Sequence, residues 1–292
     1  MKRIIIAVAC CWLANSFVHA QTIYVSNQGN IDGPGYIEKF DANGNGSLFP
    51  TGLENPRGIA LDSSGNLYVA SVFDGTILKF GPNGGTGTVF ASGLQQPEGL
   101  VFDHSGNLYV NTQGDGNLWK FDSSGNGTIF GSNLSDESFV LAVDASNDVY
   151  AASNFHNKIV KFDPSGAATL FADQSSGLNF PSGMAVGSDG NLYVANLDSY
   201  KILKFDPNGN VSVFASSSNG VFTPFGIAFD NSGYLYVAQD DYGIVKYDSN
   251  ANGMLFTNTG ILNPQFIAIQ IPEPSAFVLL IMGAVLLMRF RF

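Results

Sequence analysis

Short stretches of alternating hydrophobic and polar residues fill most of the chain, and clusters of glycine, asparagine, aspartate and serine separate them. Alternation with a period of two predicts β-strands that bury one face, and the intervening clusters predict tight turns. The clearest strand, Asn-Leu-Tyr-Val-Ala or a close variant, recurs at intervals of 44, 41, 41, 43 and 43 residues. Its tyrosines are Tyr24, Tyr68, Tyr109, Tyr150, Tyr193 and Tyr236. The pattern therefore predicts an all-β protein built from a repeated unit.

Three further strand types repeat with the same period. An Ile-x-Lys-Phe strand ends at Phe40, Phe80, Phe121, Phe162, Phe205 and Tyr247. Another apolar strand ends at Phe49, Phe90, Phe130, Phe171, Phe214 and Phe256. A Pro-x-Gly-Ile-Ala strand begins at Pro56, Pro97, Pro181, Pro224 and Pro264, with a degenerate copy at residues 139–143. Four short strands in a unit of about 42 residues are typical of a propeller blade, so the chain predicts a six-bladed β-propeller of four-stranded blades.

The order of the strand types predicts how the ring closes. Residues 22–26 belong to the second type, whereas residues 266–269 belong to the first type. We therefore expect the C-terminal strand to pair with the N-terminal strands in one mixed blade, which leaves no blade edge open. The propeller then spans residues 21–270. Within a blade, Asp-initiated turns with a following glycine, as in residues 62–66 and 163–166, predict tight hairpins.

The first 20 residues predict a secretory signal peptide. A basic start and an apolar stretch lead to a small-residue pattern that ends at Ala20, so cleavage is expected before Gln21. A lipoprotein signal at Cys10 or Cys11 is the alternative, although it leaves an unusually short apolar run. Both cysteines lie in this leader, so the mature chain is expected to contain neither a disulfide nor a cysteine-ligated metal.

Residues 271–292 predict a sorting and anchoring segment with a hydrophobic helix. Its uncharged run, residues 276–288, is shorter than the roughly 20 residues that span a bilayer. A buried terminal strand or a short hydrophobic tail is the alternative. The segment resembles the PEP-CTERM sorting signal in its Pro-Glu-Pro-Ser start, its apolar run and its terminal arginines. The residues that carry this resemblance are Pro272, Glu273, Pro274, Ser275, Arg289 and Arg291.

The PEP-CTERM resemblance implies a processing partner and a location. Proteins with this signal are exported by Gram-negative bacteria and are directed to a membrane protease, exosortase, often alongside exopolysaccharide production. For this chain it implies a precursor that the C-terminal segment anchors in the inner membrane. The processed protein is then expected at the cell surface or outside the cell.

The propeller region is acidic. It carries 9 basic and 23 acidic residues, a net charge of −14, once four basic residues and Glu273 at the two ends are set aside. Such a surface repels nucleic acid and anionic lipid, so neither is an expected partner of this region. The lysines of the Ile-x-Lys-Phe strands supply six of the 9 basic residues, and their alternation predicts a solvated strand face. We expect a monomer.

The repeats resemble those of NHL propellers, and residues 147–162, NDVYAASNFHNKIVKF, form the nearest copy. The resemblance covers residues 22–270 and implies the same six-bladed fold. Propellers of this type include binding proteins, scaffolds and enzymes of the gluconolactonase and streptogramin-lyase groups. The fold by itself therefore assigns no function.

A binding site is expected where the longer loops meet the central channel. Loops from the second to the third strand, and from the fourth strand to the next blade, share one face, which we call the variable-loop face. The tight Asp-Gly turns share the opposite hairpin face. Candidate ligand-binding residues follow the blade-opening prolines or lie three positions after the repeat tyrosines. They are Arg57 and Glu98, together with Asn27, Ser71, Thr112, Ser153, Asn196 and Gln239.

The catalytic sets of related enzymes are incomplete in this sequence. Gluconolactonase-type enzymes bind a divalent cation with a Glu and an Asp at the Pro-x-Gly positions and an Asn nearby. Here Glu98 matches, with Asn196 as a companion, but the second acid is missing because other residues hold its places. Those residues are Arg57, Ser182, Phe225 and Gln265.

Two other motifs are better explained as structure. Streptogramin lyases depend on paired histidines near a metal, whereas His104 is expected on the hairpin face and His156 on the variable-loop face. Residues 41–46, DANGNG, resemble the start of a calcium loop, but position twelve is Gly52 instead of glutamate. We expect residues 41–46 to form a hairpin turn.

These observations favour an exported, non-enzymatic propeller that binds a protein or polysaccharide partner. No catalytic residue, metal or other cofactor is predicted. The alternative is a metal-dependent, lactonase-like hydrolase or lyase that uses Glu98 and a divalent cation in the central channel.

Overall fold

The computed structural model describes residues 21–28, 35–53, 55–132, 134 and 139–270. The predicted signal peptide and the predicted sorting segment fall outside these residues, so both remain predictions. Among the described residues, no helix has the length and the apolar character needed to cross a membrane.

The strands of the described residues form six antiparallel sheets of four strands each, as the repeat predicts. Three short 3-10 helices lie in the loops, at Gln174–Ser176, Leu197–Ser199 and Ser217–Asn219. In chain order the strands are β1 (Thr22–Asn27), β2 (Tyr36–Phe40), β3 (Gly46–Phe49), β4 (Pro56–Leu61), β5 (Leu67–Ser71), β6 (Thr76–Phe80), β7 (Thr88–Ala91), β8 (Pro97–Phe102), β9 (Leu108–Thr112), β10 (Asn117–Phe121), β11 (Gly127–Gly131), β12 (Phe139–Val143), β13 (Val149–Ser153), β14 (Lys158–Phe162), β15 (Ala168–Ala172), β16 (Pro181–Val186), β17 (Leu192–Asn196), β18 (Lys201–Phe205), β19 (Val211–Ser216), β20 (Pro224–Phe229), β21 (Leu235–Gln239), β22 (Gly243–Tyr247), β23 (Gly253–Thr257) and β24 (Pro264–Gln270).

The ring closes as the strand order predicts. The sheet that contains both ends of the propeller has the order β24-β1-β2-β3. β24 pairs antiparallel with β1, and Thr22 lies opposite Gln270 at one end of this pairing. The six inner strands β24, β4, β8, β12, β16 and β20 each contact the inner strands of both neighbouring blades. The fold is therefore a closed six-bladed propeller.

The repeat tyrosines and the terminal phenylalanines of the blades explain why these two series recur. In every blade the tyrosine of the second strand meets the phenylalanine of the fourth strand edge to face, with ring centroids 4.9–5.3 Å apart. Tyr68 and Phe90, for example, lie 4.9 Å apart. This geometry suits the aromatic quadrupole and packs the outer strand onto the blade.

The glycine of Pro-x-Gly lets the inner strands approach one another around the channel. A Cβ atom at Gly58 would clash with the backbone oxygen of Glu98, and one at Gly183 would clash with that of Phe225. The inner strand β20 also approaches its neighbour closely, because a Cβ atom at Gly226 would lie 2.8 Å from the backbone nitrogen of Ile267. A larger residue at these positions would push neighbouring blades apart.

Tight turns on the hairpin face have the predicted chemistry. Asp62 accepts hydrogen bonds from the backbone amides of Ser64 at 3.0 Å and Asn66 at 2.9 Å, and Gly65 has a φ of 78°. Residues 41–46, which resemble the start of a calcium loop, form the same kind of turn. Asp41 accepts hydrogen bonds from the backbone amides of Asn43 and Asn45, both at 2.9 Å. Residues 41–46 thus form the expected hairpin turn between β2 and β3.

The Ile-x-Lys-Phe lysines are more strongly paired than a solvated strand face implies. Each lysine lies opposite the repeat tyrosine, as Lys79 does opposite Tyr68, and its ammonium group sits 4.9–5.7 Å from that ring. In five blades the same lysine also pairs with the turn aspartate, as Lys204 does with Asp189 at 2.8 Å. The prediction missed these contacts because alternation gives a side chain's face and not its neighbours.

Candidate functional site

A central cavity of about 340 Å³ opens on the variable-loop face. Its inner wall comes from the six residues that follow the blade-opening position, one from each blade. These residues are Arg57, Glu98, Val140, Ser182, Phe225 and Gln265. The structure therefore brings Arg57 and Glu98 together at the channel mouth, where the sequence predicts a site.

β-Bulges place these side chains at the cavity. Pro97 lies opposite Thr112, yet Leu100 lies opposite Val110, so β8 contains one residue more than β9 over this interval. Register shifts occur at the same place in β4, β16, β20 and β24. A bulge re-aims the side chain beside it, and such bulges are common next to functional sites.

A second set of polar residues lines the cavity from the loops. Gln28, Gln113 and Asn154 each lie four positions after a repeat tyrosine, and Asn263 precedes the blade-opening proline of β24. The repeat pattern did not predict these four residues as ligand-binding. Three of them could have been found from the repeat, because Gln28, Gln113 and Asn154 each lie one residue after a position that was predicted.

Glu98 is 5% exposed, and its Oε2 atom has no hydrogen-bond partner among the described residues. Arg57 donates from Nη1 to Oε1 of Gln265 at 2.9 Å, but its Nε atom is buried without a described partner. Asn111, which does not line the cavity, accepts from the amide of Gly99 at 2.7 Å, and its Nδ2 atom is buried without a described partner. Buried polar atoms without a partner cost stability, so the folded protein retains this cost at the cavity.

The amide side chains on one side of the cavity hold one another in place. Asn263 donates from Nδ2 to Oε1 of Gln28 at 3.4 Å, and Gln265 donates from Nε2 to Oδ1 of Asn263 at 3.2 Å. The bond from Arg57 to Gln265 extends this chain. The polar wall is therefore organised before any ligand arrives.

The six predicted residues three positions after the tyrosines serve the loops. Asn196 donates to the backbone oxygen of Gly177 at 2.9 Å and accepts from the amide of Asn179 at 2.7 Å. Gln239 bonds the amide of Phe222 in the same manner, at 2.7 Å. All six side chains are buried, and none of them lines the central cavity: Asn27, Ser71, Thr112, Ser153, Asn196 and Gln239. As ligand-binding residues they remain predictions.

The two histidines among the described residues, His104 and His156, are apart, as the sequence predicts. His104 lies in the β8–β9 turn on the hairpin face, and its backbone amide bonds Oδ1 of Asn147. His156 lies in the β13–β14 loop on the variable-loop face, 3.2 Å from the hydroxyl of Ser153. Within the described part of the chain, no three His, Cys, Asp or Glu side chains form a group that could hold a metal ion.

Exposed aromatic side chains occur on the variable-loop face, both in the cavity lining and outside it. Phe155 is 61% exposed and contacts Phe180 edge to face at 5.1 Å, and both residues line the cavity. Phe222 and Tyr242 are 40% and 47% exposed and stack at 4.6 Å with an interplanar angle of 23°. Exposed aromatic rings on one face are candidate contacts for a ligand or partner.

Comparison with solved structures supports the fold alone. A chain of a nidogen/laminin complex superposes with a TM-score of 0.72 and 15% identity, over 87% of this chain and 100% of that chain. A catalytically inactive virginiamycin B lyase from Staphylococcus aureus, solved with quinupristin, has a TM-score of 0.62 and 14% identity. The match covers 82% of this chain and 85% of the lyase chain. A gluconolactonase from Xanthomonas campestris has a TM-score of 0.58 and 19% identity. The match covers 75% of this chain and 76% of the gluconolactonase chain. No protein-family description and no curated protein matches the sequence.

These neighbours agree with the fold that the strand order gives. The chain is a six-bladed β-propeller whose fold is similar to that of NHL, streptogramin-lyase and gluconolactonase propellers. The same fold occurs in a nidogen/laminin complex and in enzymes, so function has to be argued from the site.

Proposed function

We propose that this propeller is exported and binds a protein or polysaccharide partner through its variable-loop face. The observation that carries the proposal is that buried polar atoms without described partners and exposed aromatic rings occur together at a cavity on this face. The opposite face has a cavity of about 360 Å³ among its tight turns, but Asp189 and Asp248, which line it, accept hydrogen bonds from the backbone amides of their own turns.

A binding assay on cell-surface material tests this proposal. The full-length protein is immobilised, and retention of surface extract is compared for the wild type and a variant with Phe222→Ala and Tyr242→Ala. Leu170→Ala is the matched control, because Leu170 is 63% exposed on an outer strand. We expect at least a tenfold loss for the aromatic variant and none for the control. Equal retention by all three proteins contradicts the proposal.

Export and sorting form the second part of the proposal. The leader is removed before Gln21, and the segment from Pro272 to Ser275 directs the precursor to an exosortase-type protease. Replacement of Pro272, Glu273 and Pro274 by alanine should block processing in a host that has an exosortase, while the melting temperature stays unchanged. Normal processing of this variant contradicts the sorting assignment.

A lactonase-like hydrolase or lyase is the second candidate, favoured by the unpartnered Glu98 carboxylate in the cavity. Asn196, its proposed companion, is occupied by Gly177 and Asn179 and does not line the cavity. Calorimetric titration with divalent cations separates the two candidates. Tight stoichiometric binding that Glu98→Gln abolishes would favour the enzyme.

A further inference from the structure

We propose that the central cavity binds an uncharged, hydroxyl-rich sugar unit of a glycan. This inference rests on the proposed partner-binding function and specifies its ligand. It begins with Glu98 and Arg57, which present a buried acceptor and a buried donor without partners among the described residues. A ligand that satisfies both must accept and donate hydrogen bonds within this one cavity.

The other polar residues of the cavity wall also provide both hydrogen-bond donors and hydrogen-bond acceptors. Gln28, Gln113, Asn154, Asn263 and Gln265 line the cavity. A side-chain amide offers both donors and acceptors and carries no charge. A sugar hydroxyl also donates and accepts, so a pyranose ring with several hydroxyls matches this wall.

The charges at the cavity argue against ionic ligands. One carboxylate and one guanidinium line it, so a bound cation would face Arg57 and a bound anion would face Glu98. The net charge of −14 over the propeller adds repulsion for polyanions. A neutral ligand avoids both costs while it satisfies Glu98 and Arg57.

Aromatic rings supply the remaining contacts. Phe155, Phe180 and Phe225 line the cavity, where they can pack against the apolar C–H faces of a sugar ring. The stacked pair of Phe222 and Tyr242 lies outside the cavity on the same face, where it offers a platform for a further unit. A cavity of about 340 Å³ is at the small end of ligand sites and suits the terminal units of a chain.

Calorimetry on the full-length protein in mild detergent tests the inference. The probes are hexasaccharides of neutral β-glucan, α-glucan, mannan and galactan, with alginate, calcium chloride and a lysine-rich peptide as comparisons. We expect saturable binding of at least one neutral hexasaccharide and weak or absent binding of the comparison ligands. Glu98→Gln should weaken it about 10- to 100-fold, because a charge-assisted hydrogen bond is lost.

Two further measurements separate binding from folding. Asp198→Asn, an exposed change on the same face outside the cavity, should leave the affinity unchanged. Glu98→Gln without ligand should melt at or above the wild-type temperature, since Glu98 Oε2 has no hydrogen-bond partner to lose among the described residues. A lower melting temperature for Glu98→Gln would mean that Glu98 serves the fold, which overturns the inference.

Chemical treatment of the surface extract distinguishes failure of this inference from failure of the proposed function. Loss of binding after periodate, which cleaves vicinal diols, supports a sugar ligand even when no panel member binds. Loss after protease alone, with no panel member bound, overturns the sugar ligand and leaves partner binding intact. If neither the extract nor any panel member binds, the inference and the proposed function both fail.

Discussion

A lysine, a tyrosine and an aspartate meet on the hairpin face in five of the six blades. In the blade of β16–β19 the carboxylate of Asp189 lies 2.8 Å from Lys204 and 3.0 Å from the hydroxyl of Tyr193. The mixed blade lacks the aspartate because its first strand is β24, which no turn joins to β1. Lys39 there donates to the backbone oxygen of Pro82 at 3.1 Å. One residue series thus stabilises five turns and adapts to the sixth blade.

The Asp189 carboxylate predicts a dependence of stability on pH. Partial burial raises the pKa of Asp189, but hydrogen bonds from Lys204 and Asn191 outweigh it and lower the pKa to about 2. Because the folded pKa lies below the unfolded value of about 4, this stabilisation is present above pH 4 and is lost as the pH falls through 2.

Lys204→Gln should therefore lower the free energy of unfolding by about 1 kcal/mol at pH 7, after allowance for the exposure of the pair. The difference from the wild type should shrink between pH 4 and pH 2. Urea unfolding at several pH values measures it. Lys201→Gln is the control, because Lys201 forms no salt bridge with a described residue. A deficit for Lys204→Gln that is the same at pH 7 and at pH 2 would contradict this account.

Asn196 carries a second prediction at this scale. Asn196→Ala leaves the amide of Asn179 and the backbone oxygen of Gly177 without their side-chain partner. We expect a loss of about 1–3 kcal/mol in the free energy of unfolding. Asn208→Ala, at an exposed turn, should change it by less than about 0.5 kcal/mol. Equal effects in chemical denaturation would show that Asn196 does not anchor its loop.

The sequence predicted some cavity residues and missed others for a physical reason. Arg57 and Glu98 were predicted because the Pro-x-Gly series fixes where each inner strand begins. Gln113 and Asn154 were missed because they lie just beyond the second strand, where alternation no longer determines which way a side chain points. The β-bulges in the inner strands could not be predicted from the sequence either, because one extra residue in each inner strand leaves the repeat period unchanged.

At the scale of the element, the inner strands need glycine where they approach one another. A Cβ atom at Gly58 would clash with the backbone oxygen of Glu98, which cannot move without its strand. Gly58→Ala should therefore lower the free energy of unfolding by about 1–3 kcal/mol. It should also shift Glu98 and weaken any ligand of the cavity.

Gly81→Ala is the matched control for Gly58→Ala, because a Cβ atom at Gly81 meets no atom within 4 Å. Thermal melts of the two variants compare them directly. If Gly58→Ala melts with Gly81→Ala at the wild-type temperature, close packing of the inner strands is not the reason for this glycine.

At the scale of the whole molecule, the fold depends on β24. This strand pairs with β1, and it also contacts the neighbouring inner strands β4 and β20. Deletion of residues 264–270 together with the tail should abolish the cooperative melting transition, because it opens the ring and exposes the edge of β1. Deletion of residues 271–292 alone should keep the transition. A cooperative wild-type melt of the longer deletion would overturn the closure model.

The six-bladed architecture and its closure were predictable because four strand series repeat with one period. A period repeated six times is a global signal, which no single strand carries. The phase of the series at the two ends then specified the pairing of β24 with β1. What the cavity contains depends on loops of different length and sequence in each blade, where the repeat offers no guide.

The direction of β24 has a mechanical consequence. The strand begins on the variable-loop face at Pro264 and ends on the hairpin face, where the side chain of Gln270 lies next to Gly65. Tension applied between the variable-loop face and Gln270 acts along this strand. The ladder hydrogen bonds to β1 run across the strand, so this tension shears them together instead of peeling them one at a time. The propeller should therefore withstand pulling from its C-terminal end better than pulling across a blade.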